Sequence, residues 1–177
     1  AEYLWGHPGD DEAYFKKVAE TTALVHAADR EMIVQACIFE AIYNGVNKLP
    51  VPAWVFEEFE LKPEARNFSY DAMLFDGGKF KNHWVPGASV PDMSKLETKM
   101  WFYYRARRYI DAGCEALHFG QGHAGDGCRC RHGGPADGAE SSAGQHRCHG
   151  QATLEVAHHA GGELEQRLAD AALGREM

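Results

Sequence analysis

Ile33-Val34-Gln35-Ala36-Cys37-Ile38-Phe39-Glu40 is a nearly continuous apolar run that ends on a carboxylate. Runs of this kind fit strands covered on both faces, as in parallel sheets. Parallel strands need a crossover, usually a helix, to connect them. The flanking sequence supplies the helices. Upstream, Phe15, Val18, Ala19, Thr22 and Val25 recur at helical spacing. Asp10 and Asp11 precede them, short acceptors suited to cap the first N–H groups of a helix. Before these, Tyr3-Leu4-Trp5 reads as a short strand closed by the turn Gly6-His7-Pro8-Gly9.

Downstream, Ser94-Lys95-Leu96-Glu97 has the form of a capping box. Leu96, Met100, Tyr103, Tyr104 and Ile110 continue along one side of the predicted helix, and Gly113 stands where a helix C-terminus favours glycine. Cys114–Phe119 reads as a third strand. The order strand–helix–strand–loop–helix–strand predicts an α/β fold with parallel pairing, a βαβ–loop–αβ piece of a (β/α) barrel over residues 1–121. A complete barrel takes roughly 250 residues. The chain has 177, so the barrel is expected to be partial.

Between the second strand and the second helix lies a long stretch, 44–92, with five prolines, Gly77-Gly78 and many aromatics. Loops of that length are uncommon in compact domains unless they serve a function. A short helix is expected within it at Ala53–Phe59.

Ligands of parallel α/β sheets gather at the carboxyl ends of the strands. Those ends are Trp5–His7, Glu40–Tyr43 and His118–Gln121. Glu40 is the first catalytic candidate, because a carboxylate closing an apolar strand is paired, desolvated or functional. A salt bridge to a neighbouring strand is the alternative reading. His118 is the second candidate, set against an ordinary structural histidine. Gln121 is placed to orient a sugar hydroxyl. Trp5, Trp54, Trp84 and Tyr70 are candidate stacking platforms for sugar rings, each weighed against plain packing, and Tyr43 is a further candidate substrate contact.

Glu115 opens the third strand and is read as structural. Asp10 and Asp11 are read as caps; Asp71, Asp76 and Asp92 are not ranked. Arg105, Arg107 and Arg108 are expected on the solvated side of a helix. Five cysteines, an odd number, do not form a disulfide framework, and Cys37 and Cys114 are expected to be buried free thiols.

Composition breaks near Gln121. All 20 aromatic residues, all eight lysines and all four isoleucines lie before it, whereas residues 122–177 contain 21 glycines and alanines. Such a segment buries too little apolar surface to offset chain entropy. The tail 122–177 is therefore expected to be largely disordered, with a weak helix at Leu154–Leu173. Three readings of it stand: a natural low-complexity extension, a zinc-binding appendage, or coding sequence read out of frame. The zinc reading rests on Cys128, Cys130, His132, His146, Cys148 and His149, although C-x-C and C-H are not the usual zinc pairs.

A net charge of −8 argues against a nucleic-acid partner. No run of about 18 apolar residues exists to span a membrane. No export leader precedes Ala1, so the cytoplasm is the default compartment. No nucleotide-cradling, hydrolase-elbow or metalloprotease motif is present, and no cofactor is expected.

Several segments carry a resemblance. Trp5-Gly6-His7-Pro8-Gly9-Asp10-Asp11, Val25-His26-Ala27-Ala28-Asp29, Gln35–Glu40, Pro52–Glu57, Arg66–Asp71, Val90-Pro91-Asp92, Glu97–Tyr104 and Tyr109–Gln121 resemble a group of bacterial (β/α)-barrel proteins that look like glycoside hydrolases. The resemblance covers residues 1–121 and stops at Gln121, where such proteins continue into a Val-Met-Leu-like strand. It implies a barrel acting on an oligosaccharide or glycoside. The expectation is a fragment of a carbohydrate-active barrel protein, inactive by itself. A carbohydrate-binding barrel without catalysis and a zinc-binding C-terminal appendage are the alternatives. An amidohydrolase would show H-x-H near the first strand, and the chain does not.

Overall fold

The computed structural model describes residues 11–119 and the backbone of one further strand, Ala152–Glu155. In chain order the elements are α1 (Asp11–Ala28), β1 (Gln35–Ile38), β2 (Ile42–Tyr43), α2 (Ala53–Glu58), β3 (Ala88–Ser89), α3 (Leu96–Asp111), β4 (Ala116–Phe119) and β5 (Ala152–Glu155). Short 3-10 turns at Asn44–Lys48, Asp71–Met73 and Asp76–Gly78 punctuate the segment between β2 and β3. The expected strand at Tyr3–Trp5 and the expected irregular stretch 122–150 lie outside the described residues.

β1 and β4 pair in parallel, with Gln35 opposite Ala116 and Cys37 opposite His118. A parallel pair cannot close with a hairpin, and α3 supplies the crossover. α1 and α3 run the same way. Asp11 meets Tyr104 and Arg105, Phe15 meets Tyr109, and Thr22 lies against Gly113. Each helix leads into its own strand, so two helix–strand units stand side by side. The fold is mixed α/β.

The described strands form an open sheet in the order β1-β4-β5, with β5 antiparallel to β4. No closed barrel exists among the described residues. The helix expected from Leu154 is corrected at its start, because Leu154 and Glu155 belong to β5. The outer edge of β4 offers unpaired N–H and C=O groups, and an extended segment satisfies them where a short helix would not.

β1 is not covered on both faces. Its residues alternate, with Ala36 and Ile38 buried and Gln35 and Cys37 exposed. The helices cover only the first pair, so Cys37 is an exposed thiol and not a buried one. Cys114 is buried, as expected, and burial pushes its thiol up.

α3 is the centre of the fold, and its contacts are wider than the predicted stripe. Met100, Trp101, Phe102, Tyr103, Tyr104, Ala106 and Tyr109 are all buried, the pattern of a helix surrounded by protein. Leu96, expected on that stripe, is exposed. Arg105, expected in solvent, is 3% exposed and pairs with Asp11 at 3.3 Å. Four rings (Tyr14, Phe15, Trp101 and Tyr109) surround its guanidinium at 5.0–5.8 Å.

The capping box at Ser94 does not form. The α3 N-cap is Lys95, without a side-chain bond, and the Ser94 hydroxyl donates to Asp92 at 2.7 Å. Glu97 turns to the long loop instead. It accepts two bonds from Arg66, each 2.8 Å, and one from the Ser69 N–H at 2.9 Å. That fork ties 44–92 to α3, while the backbone bonds Val51 N–H to Arg66 C=O and Phe68 N–H to Leu49 C=O, both 2.9 Å, hold the segment together internally.

Candidate functional site

β1 ends at Ile38, and two residues later Glu40 sits in a bend with only 9% of its surface exposed. Ala41 and Ile42, which follow, are buried in the core. A carboxylate held there lies at the carboxyl end of a parallel strand and largely out of water. Its charge reaches Cys37, whose thiol is raised first by desolvation and then by Glu40. Cys37 is exposed by area, yet enough protein surrounds its sulfur for desolvation to lead.

His118 is the register partner of Cys37 across the β1–β4 ladder. Directly opposed residues in a ladder project to the same face. Glu40 and His118 thus lie toward the carboxyl ends of neighbouring parallel strands, with His118 on the face of Cys37. His118 is half-buried. Cys37 is the residue sequence reasoning missed. The signal was available in the alternation that sets it opposite Ala36 and Ile38, but an unbroken apolar run hides which face is open.

The loop that leaves Glu40 is pinned close by. β2 pairs antiparallel with β3, Ile42 opposite Ser89 and Tyr43 opposite Ala88. The Asn44 N–H donates to the Gly87 carbonyl at 2.9 Å. Gly87 has φ +85°, and a Cβ there would come within 2.8 Å of the Asn44 amide, so the turn requires glycine. The Ser89 hydroxyl binds Tyr70 and accepts the Asn82 N–H at 2.8 Å. This tether carries Tyr43, half-buried, and the aromatic run Phe75, Phe80, His83 and Trp84, whose rings meet edge to face at 4.9–5.7 Å. Trp84 ends the run, exposed. Tyr43 and Trp84 thus belong to the segment next to Glu40.

Trp54 does not. It stands on α2, stacked on Tyr104 at 5.8 Å and edge-on to Tyr103 at 5.9 Å. Its surroundings extend along α3 to Asp111, toward the amino end of the sheet. Trp5 and Gln121 lie outside the described residues.

Of the other charged residues weighed from the sequence, Asp10 lies outside the described residues and Asp11, Asp71, Asp76, Asp92 and Glu115 have structural partners. Glu115 accepts the Val34 N–H at 2.9 Å and contacts His26 at 2.7 Å, in keeping with a structural role. Asp71 pairs with Lys81 and Asp76 with Lys95, while Asp92 accepts from Ser94. Asp11 opens α1, but its carboxylate takes the Tyr104 hydroxyl and Arg105. Among the described residues no group of three or more His, Cys, Asp or Glu is placed to hold a metal, and no helix is long and apolar enough to cross a membrane. The cysteines and histidines of the zinc reading lie outside them.

A carboxylate held largely out of water is a group suited to acid/base work. Comparison with protein-family models, curated proteins and solved structures returns no match.

Proposed function

We propose that residues 1–121 are a segment of a (β/α)-barrel protein acting on an oligosaccharide or glycoside, with Glu40 as its acid/base carboxylate. His118 orients that carboxylate or a sugar hydroxyl, and Tyr43 and Trp84 contact the sugar. The observation that carries the reading is the burial of Glu40 at the carboxyl end of β1, beside a strand partner whose end bears His118. Parallel β1 and β4, each fed by its own helix, support the barrel part of it. In a barrel the next strand beside β4 would run parallel. β5 occupies that edge antiparallel, which agrees with a segment that is inactive alone.

Glycosidases use two carboxylates, about 5–5.5 Å apart for retention and 6.5–9.5 Å for inversion. The partner of Glu40 is assigned to strands beyond this segment. The test is turnover of a panel of chromogenic glycosides by the parent protein, obtained by reading the gene past codon 121 in all three frames. Glu40→Gln keeps shape and removes charge. It should abolish turnover while leaving the melting temperature nearly unchanged, and full activity in that variant would remove Glu40 from the mechanism. A barrel that binds sugars without cleaving them is the second reading, favoured by the exposed Trp84 platform. Saturable binding without turnover distinguishes it.

A further inference from the structure

Trp54 lines a groove of about 490 Å³ between α2 and α3, with Glu57, Glu58, Tyr103, Arg107 and Asp111 as the other walls. Small-molecule pockets span roughly 300–1,000 Å³ and combine aromatic walls with a few placed polar groups. The groove has both, and its groups are held in position. Trp54 is fixed by its stack on Tyr104, with ring planes 20° apart. The Tyr103 hydroxyl donates to Glu58 at 2.9 Å, and Arg107 holds Asp111 at 3.0 Å one helical turn away.

We propose that this groove is a second saccharide-binding site, separate from Glu40 and specific for neutral sugars. A sugar hydroxyl both donates and accepts. The carboxylates of Glu57, Glu58 and Asp111 accept, the Arg107 guanidinium donates, and the indole offers an apolar surface to ring C–H groups. Three carboxylates against one guanidinium leave the groove net negative, which disfavours uronates and sulfated sugars. The groove lies along α2 and the C-terminal part of α3, toward the amino end of β4, whereas Glu40 lies past the carboxyl end of β1. It would anchor a chain without taking part in chemistry. The choice of ligand class rests on the carbohydrate reading above.

The test is a titration of the full chain with neutral tetrasaccharides of glucose, mannose and xylose, and with tetragalacturonate. The indole N–H resonance of Trp54, assigned through Trp54→Phe, is the readout. At least one neutral tetrasaccharide should shift it saturably, and tetragalacturonate should bind more weakly. Affinity should fall at least about tenfold in Glu57→Ala and in Arg107→Ala, whose side chains reach solvent so that the fold is kept, and should be unchanged in Glu40→Gln. Absence of any shift, or affinity untouched by both groove variants, overturns the proposal. Binding that falls in Glu40→Gln but not in the groove variants also overturns it, while leaving the carbohydrate reading standing. Groove binding without turnover by the parent protein upholds the groove and removes only the catalytic part of that reading.

Discussion

Asp11 and Arg105 show how one residue changes meaning between sequence and fold. Both look like surface groups, an acidic cap and one member of an arginine-rich run. Both are nearly fully buried, 5% and 3% exposed, and they join α1 to α3. Removing one member of such a pair leaves the other charge in the interior, which typically costs about 3–5 kcal/mol. Asp11→Ala should therefore lower stability by about that much, read from urea midpoints. A loss under about 1 kcal/mol, the surface-pair range, would show the pair to be solvated. Tyr104 belongs to the same group. Burial, then its bond to Asp11, pushes its hydroxyl up, and burial with the Glu58 bond does the same for Tyr103. A folded-state pKa above the unfolded value means stability is complete below about pH 10, the ordinary tyrosine value. It is then lost as pH rises, because only the unfolded chain releases these protons. Urea midpoints should stay flat in this respect to about pH 10 and decline beyond it. Tyr104→Phe should show a shallower alkaline decline, and an identical slope would sink that assignment.

At the scale of elements, the parts legible in the sequence are those with a local cause. α1 shows its three-and-four spacing at Phe15, Val18, Ala19 and Thr22, and α2 and the strand ending at Phe119 stand where pattern and flanks set them. Gly113 ends α3 with φ +92°, and a Cβ there would meet Thr22 at 3.0 Å. Gly113→Ala should then cost about 1–2 kcal/mol from the backbone alone, more if Thr22 cannot yield; a neutral result in thermal melts would deny the left-handed requirement. Leu117, fully buried on β4, should cost about 2–5 kcal/mol on truncation to alanine. What was not legible has long-range causes. Glu97 matches a capping box by spacing, yet Arg66, 31 residues away, claims it. Arg105 is drawn inside by Asp11, 94 residues away. Of the candidate site, Glu40 and His118 were visible from strand order. Cys37 was not, because its exposure depends on which face the helices leave bare, and the separation of Trp54 from Glu40 was not, because it depends on the packing of α2 on α3.

For the whole molecule, the deciding fact is that β1 is covered on one face and exposes Gln35 and Cys37 on the other. Helices bury Ala36, Ile38 and Leu117, while Cys37 is exposed on the other side. Beside β1, Met32 and Ile33 are 50% and 60% exposed, and Phe39 is also exposed. β1 pairs with β4 on one side, and among the described residues no strand pairs with its other edge. A bare strand edge is a template for pairing with another chain, and clustered exposed apolar side chains add a driving force for association. In a closed barrel both would be internal, since the neighbouring strand takes the edge and the opposite wall covers the face. The chain should therefore self-associate at micromolar concentration and bind a hydrophobic dye, with a broad, concentration-dependent melt. Ile33→Lys and Phe39→Lys add charge to that surface without touching the buried side, and together they should shift the population toward monomer in sedimentation velocity. If the unmodified chain instead sediments as a monomer and melts sharply, the open face is satisfied within the chain, and the expectation that it needs further strands to become stable fails with it.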